Sequence, residues 1–200
     1  MTVQLQANKA LDAKDIERLV QDHQVHRDVY TSQDVYALEM QHLFANVWVF
    51  VGHESQTPKH GDYFTTQIGS QPVIQVRHSD GGVKVLHNRC PHKGTKIAID
   101  RHGNTGTFFR CPYHAWSFET DGRLKAVPLE SGYSNTSFET TENAKGIKPV
   151  GAVHNHRGFV FARLADSGIS FDNFFGDSLS SIDNMVDRSP EGRLEVAGPP

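Results

Sequence analysis

Cysteine is scarce in this sequence: Cys90 and Cys111 are the two among 200 residues. At most one disulfide can form, so a small exported scaffold stapled by many bridges is excluded. Long apolar runs are missing as well. None approaches the roughly 20 residues that a membrane-crossing helix needs. The opening residues MTVQLQANKALDAKD lack a basic patch followed by an apolar stretch, so no secretory leader is read there and a cytoplasmic protein is expected. Neither sign of charge dominates. Twenty Lys and Arg face 23 Asp and Glu, a net charge of −3, which gives no strong field toward nucleic acid or anionic lipid. There is no internal repeat and no low-complexity tract. Histidine is plentiful instead, with 12 residues, more than any single site uses.

The hydrophobic period divides the chain. Leu11, Ile16, Leu19 and Val20 fall on one face of a helix expected over 11–24, and VHRDVYTS reads as an extended link. A second helix is expected from Ser32, a suitable N-cap, with Val35, Leu38, Leu43 and Phe44 at helical spacing. From Val47 the texture is that of short strands: 47–52, 62–69, 72–78, 83–88, 107–110, 115–120, 123–127, 147–155 and 158–164. Asp80-Gly81-Gly82 and Thr120-Asp121-Gly122 read as hairpin turns. After Asp166 a loop runs into an amphipathic helix, and Leu194 and Val196 suggest a last short strand. The tail carries no closing signal and reads as a cut through a larger protein.

Both cysteines lie in one constellation. Cys90-Pro91-His92-Lys93-Gly94 is followed, after eighteen residues between His92 and Cys111, by Cys111-Pro112-Tyr113-His114-Ala115-Trp116. Each half offers one thiolate and one imidazole, a donor set that suits zinc or an iron–sulfur centre. Zinc fingers usually group cysteines in one half and histidines in the other. Here each half mixes them, as a [2Fe–2S] cluster requires when one iron takes both Cys and the other both His. Pro91 and Pro112 stiffen the two loops, and Gly94 lets backbone approach the sulfides.

The motif CPHKG…CPYHAWSF resembles that of the large (alpha) subunit of Rieske non-heme iron aromatic-ring-hydroxylating oxygenases. The upstream VWVFVGHESQTPKHGDYF resembles the lead into the Rieske domain of that subunit, and NMVDRSPEGRLEVAGPP the opening of its catalytic domain. Two departures touch no ligand: Lys93 stands where Arg is frequent, and the spacer is about one residue longer, which the turn-rich loop 101–106 could absorb. The resemblance implies a mainly β Rieske domain, a small antiparallel sandwich or barrel with two cluster-binding loops. Helices precede it and the start of an α+β catalytic domain follows. The divisions expected are an N-terminal helical segment (1–45), the Rieske domain (46–165) and the beginning of a truncated catalytic domain (166–200). It further implies that Cys90, His92, Cys111 and His114 hold one [2Fe–2S] cluster, reduced by a ferredoxin or an NAD(P)H-dependent flavin reductase. The electron would leave through the outer imidazoles toward a mononuclear Fe(II) across a subunit interface in a homotrimer or α3β3 assembly, to hydroxylate an aromatic substrate. Ligands for that iron are not found here: no D-x-x-H-x(4)-H arrangement occurs, and no catalytic residue is assigned. With both cysteines used as ligands, no disulfide can stand beside the cluster, and a potential at the lower end of the Rieske range is expected.

Rival readings are a Rieske monooxygenase or demethylase, a stand-alone Rieske ferredoxin, and a structural zinc module. The ferredoxin leaves 11–45 and 166–200 without a place. His53, His60, His78, His87 and His102 read as surface or hydrogen-bonded residues, as do His154 and His156. Lys93 reads as a solvated charge, Tyr113 and Trp116 as core aromatics or a cluster shield. Phe171, Phe174 and Phe175 read as packing a helix onto the missing domain.

Overall fold

The structure, a computed structural model, describes residues 13–136 and 146–197. A short helix α1 (Ala13–Glu17) leads into a two-residue hairpin, β1 (Val20–Gln21) with β2 (Gln24–Val25). The helix expected over 11–24 thus ends early. The Leu19 carbonyl accepts from His26 N–H at 2.7 Å, and Val20 pairs with Val25 across the Asp22-His23 turn. Leu11 lies outside the described residues. The expected extended link is instead one helical turn, α2 (Asp28–Thr31). Ser32 then caps α3 (Gln33–Leu38), its hydroxyl accepting from Val35 N–H, and a π-helical turn continues over Glu39–Leu43.

Three antiparallel sheets follow. Strands β3 (Val49–His53), β4 (Asp62–Ile68), β5 (Gln71–Arg77), β6 (Val83–His87), β7 (His102–Asn104), β8 (Phe108–Arg110), β9 (Ser117–Glu119), β10 (Leu124–Ala126), β11 (Ala152–His156) and β12 (Phe159–Arg163) assemble as β6-β5-β4-β7, β11-β12-β3 and β10-β9-β8. The mainly β Rieske-type architecture expected from the sequence is present. Strand β7 lies inside the loop 101–106 and pairs with β4. Residues Leu194 and Val196 form no strand; the tail is fixed by Val196 N–H donating to Ser55 Oγ at 3.0 Å. The helix expected after 166 is two, α4 (Phe171–Phe175) and α5 (Leu179–Asp187). No described helix is long and apolar enough to cross a membrane.

Strand β5 explains how the sheets join. Val73, Ile74, Gln75 and Val76 are all buried, so it does not alternate. Ile74 and Val76 face a core with Leu86, Phe109, Trp116, Phe118, Leu124 and both cysteines. Val73 faces a second core with Val51, Ile68, Val85, Val160 and Ala162. A strand covered on both faces reads as a continuous apolar run. Gln75 is admitted because its amide donates to His53 O (2.9 Å) and Thr57 Oγ1 (3.1 Å).

A third cluster, Trp48, Phe161 and Phe171, binds α4 to the outer face of the β11-β12-β3 sheet. Phe171 thus packs onto the chain's own sheet. Helix α5 is fastened by His156 Nε2 to Asp183 Oδ1 (2.8 Å) and by Arg157 to Asp187 (2.7 Å).

His53 is buried, contrary to the surface role expected of it. Its Nδ1 meets Ser55 Oγ at 2.9 Å, while Nε2 is buried without a partner. Gly158 lies against that edge: a Cβ there would come within 2.3 Å of Nε2. Burial holds the imidazole pKa below its ordinary value, against the opposing charges of Glu54 and Glu195. The unfolded chain therefore binds the proton more readily. The stability from neutral His53 is present above about pH 6.5 and is lost as pH falls below it. Urea unfolding across that range is expected to show a smaller acid-side loss in His53→Gln than in the parent. Parallel slopes would contradict it.

Candidate metal centre

The two motif segments fold to one pattern. Cys90 N–H donates to the Thr95 carbonyl (2.8 Å) and Gly94 N–H to the Cys90 carbonyl (2.9 Å). In the second segment Cys111 N–H donates to Trp116 O (2.8 Å) and Ala115 N–H to Cys111 O (3.0 Å). The fifth residue of each turn is left-handed, Gly94 at φ 78° and Ala115 at φ 57°. Glycine adopts this freely; for Ala115 it costs about 1 kcal/mol. The proline at the second place of each turn stiffens both.

Different elements hold the two turns. The second connects β8 to β9 directly. The first leaves β6 and is clamped at its base by Asn88, which is buried: its Oδ1 accepts from Ile97 N–H (2.9 Å) and Ala98 N–H (3.0 Å), and its Nδ2 donates to Ala98 O (2.7 Å). The pattern reading missed Asn88. The signal was a polar residue directly after a buried strand, but its partners lie nine and ten residues on.

The turns bring together all four residues singled out from the sequence. Cys90 and Cys111 are free, buried thiols in the same core. Burial pushes the Cys90 thiol up to about 11. Backbone N–H groups of His92 and Lys93 oppose this, and the neighbouring Cys111 thiol adds to it. The His92 and His114 rings meet edge-on, centroids 4.7 Å apart. Their Nδ1 atoms are buried and have no hydrogen-bond partner, although both rings are only half-buried overall. Burial, then His114 and Lys93, lower the His92 pKa, which favours the neutral imidazole that ligates metal.

Two buried thiols and two orphaned buried nitrogens form a donor set that a [2Fe–2S] cluster fits: an orphaned buried nitrogen is costly unless something binds it. Among the described residues no three His, Cys, Asp or Glu side chains converge on one metal-ion position.

The surrounding aromatics take two roles. Trp116 is buried and stacks on His92, centroids 4.6 Å apart and planes 3° from parallel. Tyr113 is 61% exposed and lies against His114, centroids 3.7 Å apart. Trp116 is therefore both core and support, while Tyr113 is a surface cover and not a core residue. Lys93 is exposed, as expected. Two other histidines lie elsewhere: His78 Nδ1 meets Thr120 Oγ1 (2.6 Å), and His154 stacks on Phe171 (3.8 Å).

Comparison with known proteins places this geometry. The Rieske [2Fe-2S] domain family matches residues 47–141. The toluate 1,2-dioxygenase subunit alpha of Pseudomonas putida is 38% identical over 172 residues, covering 85% of this chain and 37% of that protein. The anthranilate 1,2-dioxygenase large subunit of Acinetobacter baylyi is 37% identical over 175 residues, covering 87% and 36%. The crystal structure of naphthalene 1,2-dioxygenase from Rhodococcus sp. bound to indole superposes with a TM-score of 0.80 at 29% identity, over 92% of this chain and 40% of that one. The chain thus spans less than half the length of these relatives. Residues 47–141 thus carry the Rieske [2Fe–2S] domain, and over most of its length the chain is similar to the large (alpha) subunits of Rieske-type ring-hydroxylating oxygenases.

Proposed function

We propose that Cys90, His92, Cys111 and His114 hold a Rieske [2Fe–2S] cluster, and that the chain is the electron-input part of an aromatic-ring-hydroxylating dioxygenase. The observation that supports this reading is the pairing, in two turns of one pattern, of a buried thiol with a buried, unpartnered imidazole nitrogen. Such a cluster, when bound, takes up and releases single electrons.

The chain's residues prepare that chemistry. Cys90, held as a thiol by burial, gives up its proton on binding, and the N–H groups of His92 and Lys93 stabilise the resulting thiolate. Trp116 fixes the His92 ring plane, and Tyr113 covers one side of His114. Nδ1 of each imidazole faces inward, so the opposite edge of each ring is left toward the surface, the side from which an electron would leave.

In the whole protein, electrons would come from a ferredoxin or an NAD(P)H-dependent flavin reductase. They would go to a mononuclear Fe(II) whose ligands lie outside these residues, in a homotrimer or α3β3 assembly in the cytoplasm. An aromatic, and more narrowly an aromatic acid, is the substrate class favoured by the relatives named for toluate and anthranilate. A demethylase is the second reading, since an N,N-dimethyl phenylurea N-demethylase subunit alpha of Sphingobium sp. is 35% identical over 172 residues.

Visible and EPR spectroscopy of the purified protein tests the centre. A red-brown protein with equal iron and sulfide and a dithionite-induced EPR signal is expected. A colourless protein holding zinc overturns the reading.

A further inference from the structure

Beside the first ligand turn lies a cleft of about 510 Å³. It is separate from the space between the two turns: Cys90 and His92 line it, whereas Cys111 and His114 do not. Its volume falls in the range of sites for small organic molecules and far exceeds what an inorganic ion fills. The charge of the cleft is one-sided. Arg89, Lys93 and Lys148 line it, and among the described residues no carboxylate does, although the chain as a whole is acidic. Two of these cations are held in place. Arg89 packs across the ligand turn, its Nε 3.3 Å from where a Cβ on Gly94 would stand. The Lys148 carbonyl accepts from His87 N–H at 2.9 Å, which ties its backbone to the end of β6. The Lys148 ammonium, 65% exposed, has Asp166 at 3.8 Å, a loose pair of solvated groups that a tighter anion can replace.

We propose that this cleft binds a small organic carboxylate, and that its occupation lowers the potential of the neighbouring centre. The inference rests on the cluster assignment above and adds a ligand and a control on electron uptake. The planar guanidinium of Arg89 matches a carboxylate, and Lys93 and Lys148 add charge around it. Reduction adds one negative charge to a centre whose ligands Cys90 and His92 share the cleft. A carboxylate held there repels that charge and screens the three cations that favour it. The ligand therefore binds the oxidised form more tightly and, by reciprocity, makes reduction harder. It is neither oxidised nor reduced, and no bond forms or breaks.

The test uses the loaded protein with 4-fluorobenzoate as the probe and 4-fluorobenzamide as its neutral counterpart. Reduction by dithionite gives the centre one electron and makes it paramagnetic. The fluorine NMR relaxation of 4-fluorobenzoate is then expected to rise over that with the oxidised protein, because the probe sits beside the centre; that of 4-fluorobenzamide is not. With 4-fluorobenzoate bound, the midpoint potential is expected to fall by about 59 mV, the equivalent of about ten-fold tighter binding to the oxidised form. Arg89→Gln/Lys148→Gln is expected to weaken binding by about ten-fold or more, the worth of a charge-assisted contact, whereas Lys59→Gln leaves it unchanged. Lys148→Gln alone, outside both turns, is expected to weaken it in the same direction. No relaxation effect, an unchanged potential, or unchanged binding in both variants, with the EPR signal intact, overturns the carboxylate site and leaves the cluster assignment standing. Equal effects of the amide overturn it in favour of an apolar site, and displacement by inorganic phosphate as effective as by benzoate overturns it in favour of an inorganic anion. A parent protein with no EPR signal overturns the assignment and the inference together.

Discussion

Cys111→Ser and His114→Ala are each expected to yield a folded protein that has lost its colour and its reduced-state EPR signal. The argument is one of donor count. Each turn offers one sulfur and one nitrogen, so losing either side chain leaves its turn with a single donor. Altering a group that merely orients a ligand already costs 10–100-fold in metal affinity; removing a ligand is expected to lower bound iron by at least ~10-fold. The fold should survive, because the turns are closed by main-chain bonds that do not involve either side chain. Iron and sulfide analysis with far-UV circular dichroism separates the two effects. A variant that keeps an unchanged EPR signal would refute the ligand assignment.

Asn88→Ala is expected to carry the largest cost to stability of any single change near the site. It strips partners from the N–H groups of Ile97 and Ala98 and from the Ala98 carbonyl, all in a segment whose side chains are buried. Buried groups left unsatisfied cost about 1–3 kcal/mol each, so for three groups a loss of at least about 3 kcal/mol is expected. A fall in Tm of roughly 10 °C follows for a chain of this size. Cluster content should fall with it, because the base of the first turn is no longer closed. Differential scanning calorimetry and iron content measure the two consequences. A Tm within 2 °C of the parent, a shift worth less than about 1 kcal/mol, would show that Asn88 is dispensable.

How much of this was legible in the sequence depended on the range of the forces involved. The meeting of Cys90, His92, Cys111 and His114 was legible because mixed Cys and His spacing within a few residues marks two segments that belong together. The β-rich centre was legible from short β-branched runs, and VIQV in β5 reads as apolar because both faces are covered. Ser32 was legible because capping is local. The hairpin at Val20 and Val25 was not, since apolar spacing in that segment also fits a helix and two cross-strand residue pairs stand there instead. The strand His102–Asn104 was hidden in a turn-rich loop because its pairing partner, β4, lies some forty residues earlier. The different fates of Tyr113 and Trp116 follow from which side of the second turn faces the core, and burial of His53 from a neighbouring glycine at position 158. Both are matters of tertiary placement.

The shared geometry of the two ligand turns has a consequence for the life of the protein. Because backbone bonds close each turn from within, stripping the metals is expected to leave a socket instead of two slack segments. Zinc fingers, by contrast, collapse without their ion. Oxygen chemistry erodes iron–sulfur centres. A polypeptide whose socket outlasts its contents is suited to be refilled after such damage, so the chain's lifetime need not be set by that of its cluster.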